Sequence, residues 1–136
     1  MSAAAVIADS TPLYALVDSD DQYARRAHAQ LQVIHAEDIL VAVPIPILME
    51  THTLILRRLG VQRAQAWIQE IVEASFTPHS NAEDVRQAVE VIRRYSDQPI
   101  TLTDAVVAAM CQRLRFPVWT YDHHFDIMQV EVWRDA

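Results

Sequence analysis

Short apolar runs alternate along this chain with longer stretches in which apolar residues recur every three or four positions. Residues 4–8 are continuously apolar, as expected of a strand buried on both faces of a parallel sheet. Ser10 and Thr11 are then placed to cap a helix, with Pro12 at its first position. A second helix is predicted from about Asp20 to Ile34, with Tyr23, Ala24, Ala27, His28 and Leu31 on one stripe. Residues 39–43 read as the second strand. A helix follows Pro46 as far as Leu59, with Gly60 ending it in the left-handed position.

The alternation continues to the end of the chain. Ala64, Trp67, Ile68, Ile71 and Val72 mark an amphipathic helix over 61–74, and a short strand is expected near Phe76. Asn81 caps a further helix, and another spans about Leu102 to Arg115. Strands at 117–121 and 129–133 complete the pattern. Repeated strand–helix alternation predicts an α/β, three-layer sandwich with a central, mainly parallel sheet. No linker or repeat divides residues 1–136, so a single domain is expected.

Composition narrows the chemistry chiefly by what is missing. All eleven basic residues are arginine, which removes a Schiff-base lysine and a phosphate-loop lysine. One glycine, Gly60, cannot build a glycine-rich phosphate loop or a dinucleotide fingerprint. The single Cys111 excludes an internal disulfide and a multi-cysteine zinc site, and its apolar neighbours at helical spacing predict a buried thiol. The six histidines show no zinc-ligand spacing. No basic leader and no apolar run near 18 residues is present, so a cytoplasmic protein without membrane attachment is expected.

Four acids stand where regular elements begin or end. Asp9 closes the first strand, and Asp122 ends the segment Pro-Val-Trp-Thr-Tyr-Asp. Asp104 lies in the first turn of its helix, where the dipole favours a negative charge. Glu50 sits in Pro-Ile-Pro-Ile-Leu-Met-Glu and shares a helix face with Leu54 and Arg57. Strands of an open parallel sheet bind ligands beyond their carboxyl ends, so Asp9 and Asp122 can converge on one crevice. Each acid also has an ordinary reading: a turn residue for Asp9 and Asp122, a helix-start residue for Asp104, a solvated helix residue for Glu50.

The segments around these acids resemble the PIN-domain nucleases, particularly the VapC-like toxins of bacterial toxin–antitoxin pairs. They are Val-Ile-Ala-Asp9-Ser-Thr-Pro-Leu, Ile-Leu-Met-Glu50, Leu-Thr-Asp104-Ala-Val-Val-Ala-Ala and Trp-Thr-Tyr-Asp122-His-His-Phe. The resemblance implies a metal-dependent endoribonuclease that hydrolyses RNA phosphodiesters with Mg²⁺ or Mn²⁺. Asp9 and Asp104 would be its central metal ligands, with Glu50 and Asp122 completing the catalytic set. Thr120 would match the hydroxyl residue commonly found two positions before the last acid. Ser10 or Thr11 would orient a metal-bound water in the same way, and Asp126 is a fifth candidate acid. The resemblance further implies a homodimer and a small antitoxin, whose contact surface is expected on the helices spanning 12–34 and 46–59.

Net charge of −7 is unusual for an enzyme that binds a polyanion. Without the four candidate acids, fourteen carboxylates face eleven arginines, which leaves −3. Two divalent ions would neutralise those four formally. A haloacid-dehalogenase-like phosphatase also begins with a strand ending in Asp, but it needs a second Asp where Thr11 stands, and normally a lysine. The remaining alternatives are a PIN-fold RNA-processing nuclease outside toxin–antitoxin control, and a catalytically silent RNA- or protein-binding module.

Overall fold

In the computed structural model, which describes residues 3–135, a parallel sheet carries the functional edge of the molecule. Its strands are β1 (Ala5–Ala8), β2 (Leu40–Ala42) and β3 (Val118–Trp119), in the order β2-β1-β3. All four residues of central β1 are buried, which is why its sequence has no polar alternation. Helices α1 (Ser10–Val17) and α2 (Ala24–Ala36) lead from β1 to β2. Four more, α3 (Ile45–Leu59), α4 (Val61–Ala74), α5 (Ala82–Arg94) and α6 (Leu102–Leu114), lead from β2 to β3. A short α7 (His124–Ile127) follows. The α/β architecture with flanking helices is the one the alternating pattern predicts.

β1 pairs with β2 on one side and β3 on the other. The β1–β2 connection therefore leaves the carboxyl end of β1 to one side, and the β2–β3 connection passes back to its other side. Open α/β sheets form a crevice in this arrangement. The β1–β3 ladder runs on to Asp9, whose N–H donates to the Trp119 carbonyl at 2.9 Å. Helix α6 is buried without interruption from Asp104 to Cys111, so it lies at the centre of the fold and shows little amphipathic contrast. The Cys111 thiol is buried as predicted, and burial pushes it up to about 12.

Local chemistry explains the helix starts. Asn81 and Asp84 form a reciprocal capping box at α5, and Thr101 accepts the Asp104 N–H at the start of α6. Gly60 joins α3 to α4 at φ 97° and ψ 173°, an extended positive-φ conformation rather than the predicted left-handed helical one. Nothing lies within 4 Å of where a Cβ would stand, so the backbone angle alone calls for glycine here.

Other boundaries differ for physical reasons. Asp9, not Ser10 or Thr11, occupies the cap position of α1, and Pro12 is its third residue. Helix α2 starts at Ala24 and buries Ala27, Gln30 and Ile34, a stripe rotated from the predicted one, with His28 exposed. β2 is shorter than predicted, and its Leu40 is exposed. The short strand near Phe76 is one parallel bridge to Ala42, and the strand predicted at 129–133 is one bridge from Val132 to Val118. Helix α7 was not predicted; at four residues it is too short to show a helical period.

Candidate functional site

Asp9 follows β1 directly and is 2% exposed. Its Oδ2 accepts the Thr120 hydroxyl at 2.7 Å and the Thr11 hydroxyl at 3.3 Å. Both hydroxyls are fixed from the neighbouring strand end: Thr120 Oγ1 accepts the Asp122 N–H, and Thr11 Oγ1 accepts the Tyr121 N–H, each at 3.0 Å. Asp9 Oδ1, by contrast, is buried with no hydrogen-bond partner. A buried carboxylate oxygen left this way is costly unless a positive group meets it.

Asp104 faces the same region from the first turn of α6 and is 8% exposed. Burial pushes Asp9 up to about 6, against the Thr120 hydrogen bond, and the charges of Glu50 and Asp122 add to the rise. Burial likewise pushes Asp104 up to about 7, with Asp9, Asp122 and Glu50 all contributing repulsion. Asp9 and Asp104 are thus each within electrostatic reach of Glu50 on α3 and of Asp122 after β3. Glu50 and Asp122 are half-buried at the rim. Glu50 lines an open groove with Leu54, Arg57 and Thr103, the neighbour of Asp104.

The remaining predicted positions divide. Thr120 and Thr11 contact Asp9 directly, whereas Ser10 is buried at the first position of α1. Asp126 is exposed and pairs with Arg134 at 3.2 Å. His124 donates its backbone N–H to Asp122 Oδ1 at 2.9 Å, and its ring Nδ1 lies 3.1 Å from the same oxygen. Asp122, His123 and His124 bring one donor atom each within 4.8 Å, the one such trio among the described residues. The ring contact to Asp122 accounts for that closeness. The four carboxylates stand wider apart, as repelling charges do.

An all-oxygen donor set with an orphaned buried oxygen and two raised acids suits a hard divalent cation. Asp9 and Asp104 are buried, and Glu50 and Asp122 are half-buried. A buried polar anchor behind this site was missing from the sequence reading. Gln30 Oε1 accepts the Trp119 Nε1–H at 2.9 Å and the Tyr121 hydroxyl at 2.6 Å, while its Nε2 donates to Asp135. The signal was present: Gln30 lies on the helical stripe with Ala27 and Ile34, where a polar side chain must find partners.

Residues 6–130 match the PIN domain family. Among solved structures, the chain is similar to VapC20 of Mycobacterium tuberculosis, a sarcin–ricin-loop-cleaving toxin, at TM-score 0.81 and 21% identity. That match covers 96% of this chain and 99% of the other. VapBC2 of Rickettsia felis, bound to a DNA fragment from its promoter, gives 0.75 at 10% identity over 96% and 97%. A toxin–antitoxin complex from Klebsiella pneumoniae gives 0.61 at 17% identity over 87% of each chain. At these identities the likeness is one of fold. No curated protein matches the sequence significantly.

Proposed function

This chain belongs to the PIN-domain family, and from that premise we propose that it is a divalent-metal-dependent endoribonuclease, the toxin of a toxin–antitoxin pair. The observation that carries the reading is the Asp9 carboxylate. One oxygen is held by Thr120, the other is buried without a partner, and three further acids surround it. Residues with ordinary turn or capping roles would not need such an arrangement.

Asp9 and Asp104 are the central ligands in this reading, and Glu50 and Asp122 complete the set. A bound Mg²⁺ or Mn²⁺ supplies Lewis acidity, activating water and offsetting charge on the leaving oxygen of the phosphodiester. The chain's own work is positional. Thr120 and Thr11 hold Asp9 through Oδ2 and leave Oδ1 without a hydrogen-bond partner, and the Thr120 bond favours the ionised form. The His124 N–H steadies Asp122 at the rim. No lysine or cysteine nucleophile is needed, in keeping with a lysine-free chain and a buried Cys111.

RNA is the substrate in this reading, and a small antitoxin and a second copy of the chain are its partners. Exposed Ile45, Met49 and Leu56 on α3 support a protein contact on the helix that carries Glu50. A cleft of about 270 Å³ lined by Leu13, Leu16, Leu31, Trp67 and Ile71 adds apolar surface between α1, α2 and α4. A cytoplasmic location follows from the same reading; among the described residues no helix is long and apolar enough to cross a membrane.

The test is incubation of total cellular RNA with the pure protein and Mg²⁺ or Mn²⁺, beside Asp104→Asn and a chelator control. Discrete fragments that disappear in both controls are expected. Intact RNA with antitoxin-free, metal-binding protein would rule out catalysis and leave a silent binding module.

A further inference from the structure

Beside the four carboxylates lies a second concavity of about 180 Å³, lined by Arg26, Tyr121, Asp122, His123, Asp126 and Arg134. Thr120 lines it too, so this cleft shares Thr120 and Asp122 with the carboxylate site. Whatever occupies it adjoins the reacting group.

Arg26 is set to hold an anion there. Its guanidinium lies 4.8 Å from the centroid of the Tyr121 ring, over its face. Tyr121 is itself fixed, by its hydroxyl bond to Gln30 and by stacking on Tyr23 with ring centroids 4.5 Å apart. A guanidinium held by its flat face keeps its N–H edge free, in the fork that matches two phosphate oxygens.

The surrounding charges leave that edge uncommitted. Arg134 is paired with Asp126. Asp21 and Asp135 also lie near Tyr121, but Asp21 accepts the Tyr23 N–H and Asp135 accepts from Gln30. Among the described residues no carboxylate forms an ion pair with Arg26. Its position is also unfavourable for the helix alone. Arg25 and Arg26 lie in the first turn of α2, which has no acid and no side-chain cap, and the dipole there disfavours cations.

We propose that this cleft is an RNA-backbone subsite in which Arg26 holds a phosphate neighbouring the one that is cut. The inference rests on the nuclease reading above. Tyr121 is already covered by Arg26 and Tyr23, so the cleft grips backbone rather than a stacked base. It therefore adds affinity and register with little sequence preference. It also gives a chain of net charge −7 a local cation at the place where a polyanion must enter.

The test compares binding of a fluorescein-labelled single-stranded RNA of mixed sequence to Asp104→Asn protein, with and without Arg26→Gln. Arg26→Gln is expected to weaken binding about tenfold and to lower the slope of log affinity against log salt by about 0.7, one phosphate's share. Arg25→Gln removes the same charge one residue away and outside the cleft; affinity and slope are expected to stay near those of the parent. In otherwise active protein, Arg26→Gln raises KM with kcat unchanged, and Arg26→Lys recovers part of the loss.

Equal effects of Arg25→Gln and Arg26→Gln, or an unchanged salt slope, would overturn the subsite. Protein with Arg26 intact that neither binds nor cuts RNA would instead overturn the nuclease reading, and the subsite with it.

Discussion

The Thr120 hydroxyl donates to Asp9 Oδ2 across 2.7 Å, tying together two strand ends that are 111 residues apart in the chain. The same oxygen atom of Thr120 accepts the Asp122 N–H, so one hydroxyl sets the orientation of two candidate ligands. Thr120→Val is expected to lower cleavage roughly 10- to 100-fold and to raise the Mg²⁺ concentration needed for half-maximal rate. Thr120→Ser keeps the oxygen and most of the activity. A metal titration of both variants decides the matter. Equal activity in Thr120→Val and the parent would remove Thr120 from the site.

The raised acids make an unusual pH dependence. Asp9 at about 6 and Asp104 at about 7 both exceed their ordinary value of 3.8. Between about pH 4 and pH 7 the folded state therefore holds more protons than the unfolded state. Stability from these groups is fully present below their unfolded value and is lost as pH rises through the folded values. Chelator-treated protein should accordingly melt at a higher temperature near pH 5 than near pH 8. Added Mg²⁺ should stabilise more near pH 8, where protons no longer compete for the carboxylates. A melting temperature in chelator that climbs across this range would contradict the geometry.

A single substitution should separate stability from activity at the same place. Asp104→Asn keeps the shape of the side chain but removes one charge from the cluster. With chelator present near pH 8, it is expected to stabilise the fold by about 1–3 kcal/mol, since one pKa unit corresponds to about 1.4 kcal/mol. RNA cleavage should fall to background. Urea unfolding and the total-RNA assay supply the two readouts. A destabilised Asp104→Asn protein would mean that the charge is met by a favourable contact rather than by repulsion.

The parts of the fold legible in the sequence are those with a strong local cause. β1 reads as buried because its apolar run has no polar break, and α5 announces itself through Asn81 and the acids after it. Asp9 and Asp122 were legible as strand-end residues and Asp104 as a helix-start residue. The pairing of β3 beside central β1 brings the ends that carry Asp9 and Asp122 side by side, whereas Glu50 lies inside α3, where no boundary marks it. Less was legible where pairing partners decide. The apolar segment at 129–133 reads as a strand, but its pairing is the single bridge to Val118. The cleft around Arg26 was not readable at all, since it depends on α2 meeting a segment almost a hundred residues later. Asp126 shows what the sequence leaves open: its proximity to Asp122 suggested a fifth acid, and in the structure it pairs with Arg134 while lining the cleft that Asp122 also lines.

A clasp joins α5 to α6, the helix that carries Asp104. Arg113 of α6 donates to both oxygens of Asp84, at 2.9 and 2.8 Å, and also to the His79 carbonyl at 2.8 Å. Asp84 is 2% exposed and completes the α5 capping box, so its charge cannot turn to water if Arg113 is removed. Hydrogen bonding to Arg113 holds the Asp84 carboxyl below its ordinary value, despite burial. This contribution has the opposite sign to that of the acidic cluster: it is present above the unfolded value and is lost as pH falls through the folded one. Arg113→Met should destabilise by about 2–4 kcal/mol near pH 7, somewhat less than for a fully buried pair because Arg113 is partly exposed. The loss should shrink in acid, where Asp84 can protonate. Cleavage per folded molecule should change little, because neither residue lines the carboxylate crevice. Unfolding curves at two pH values, with cleavage rates normalised to folded protein, test both halves. A loss that grows in acid would show that the pair is not what joins these helices.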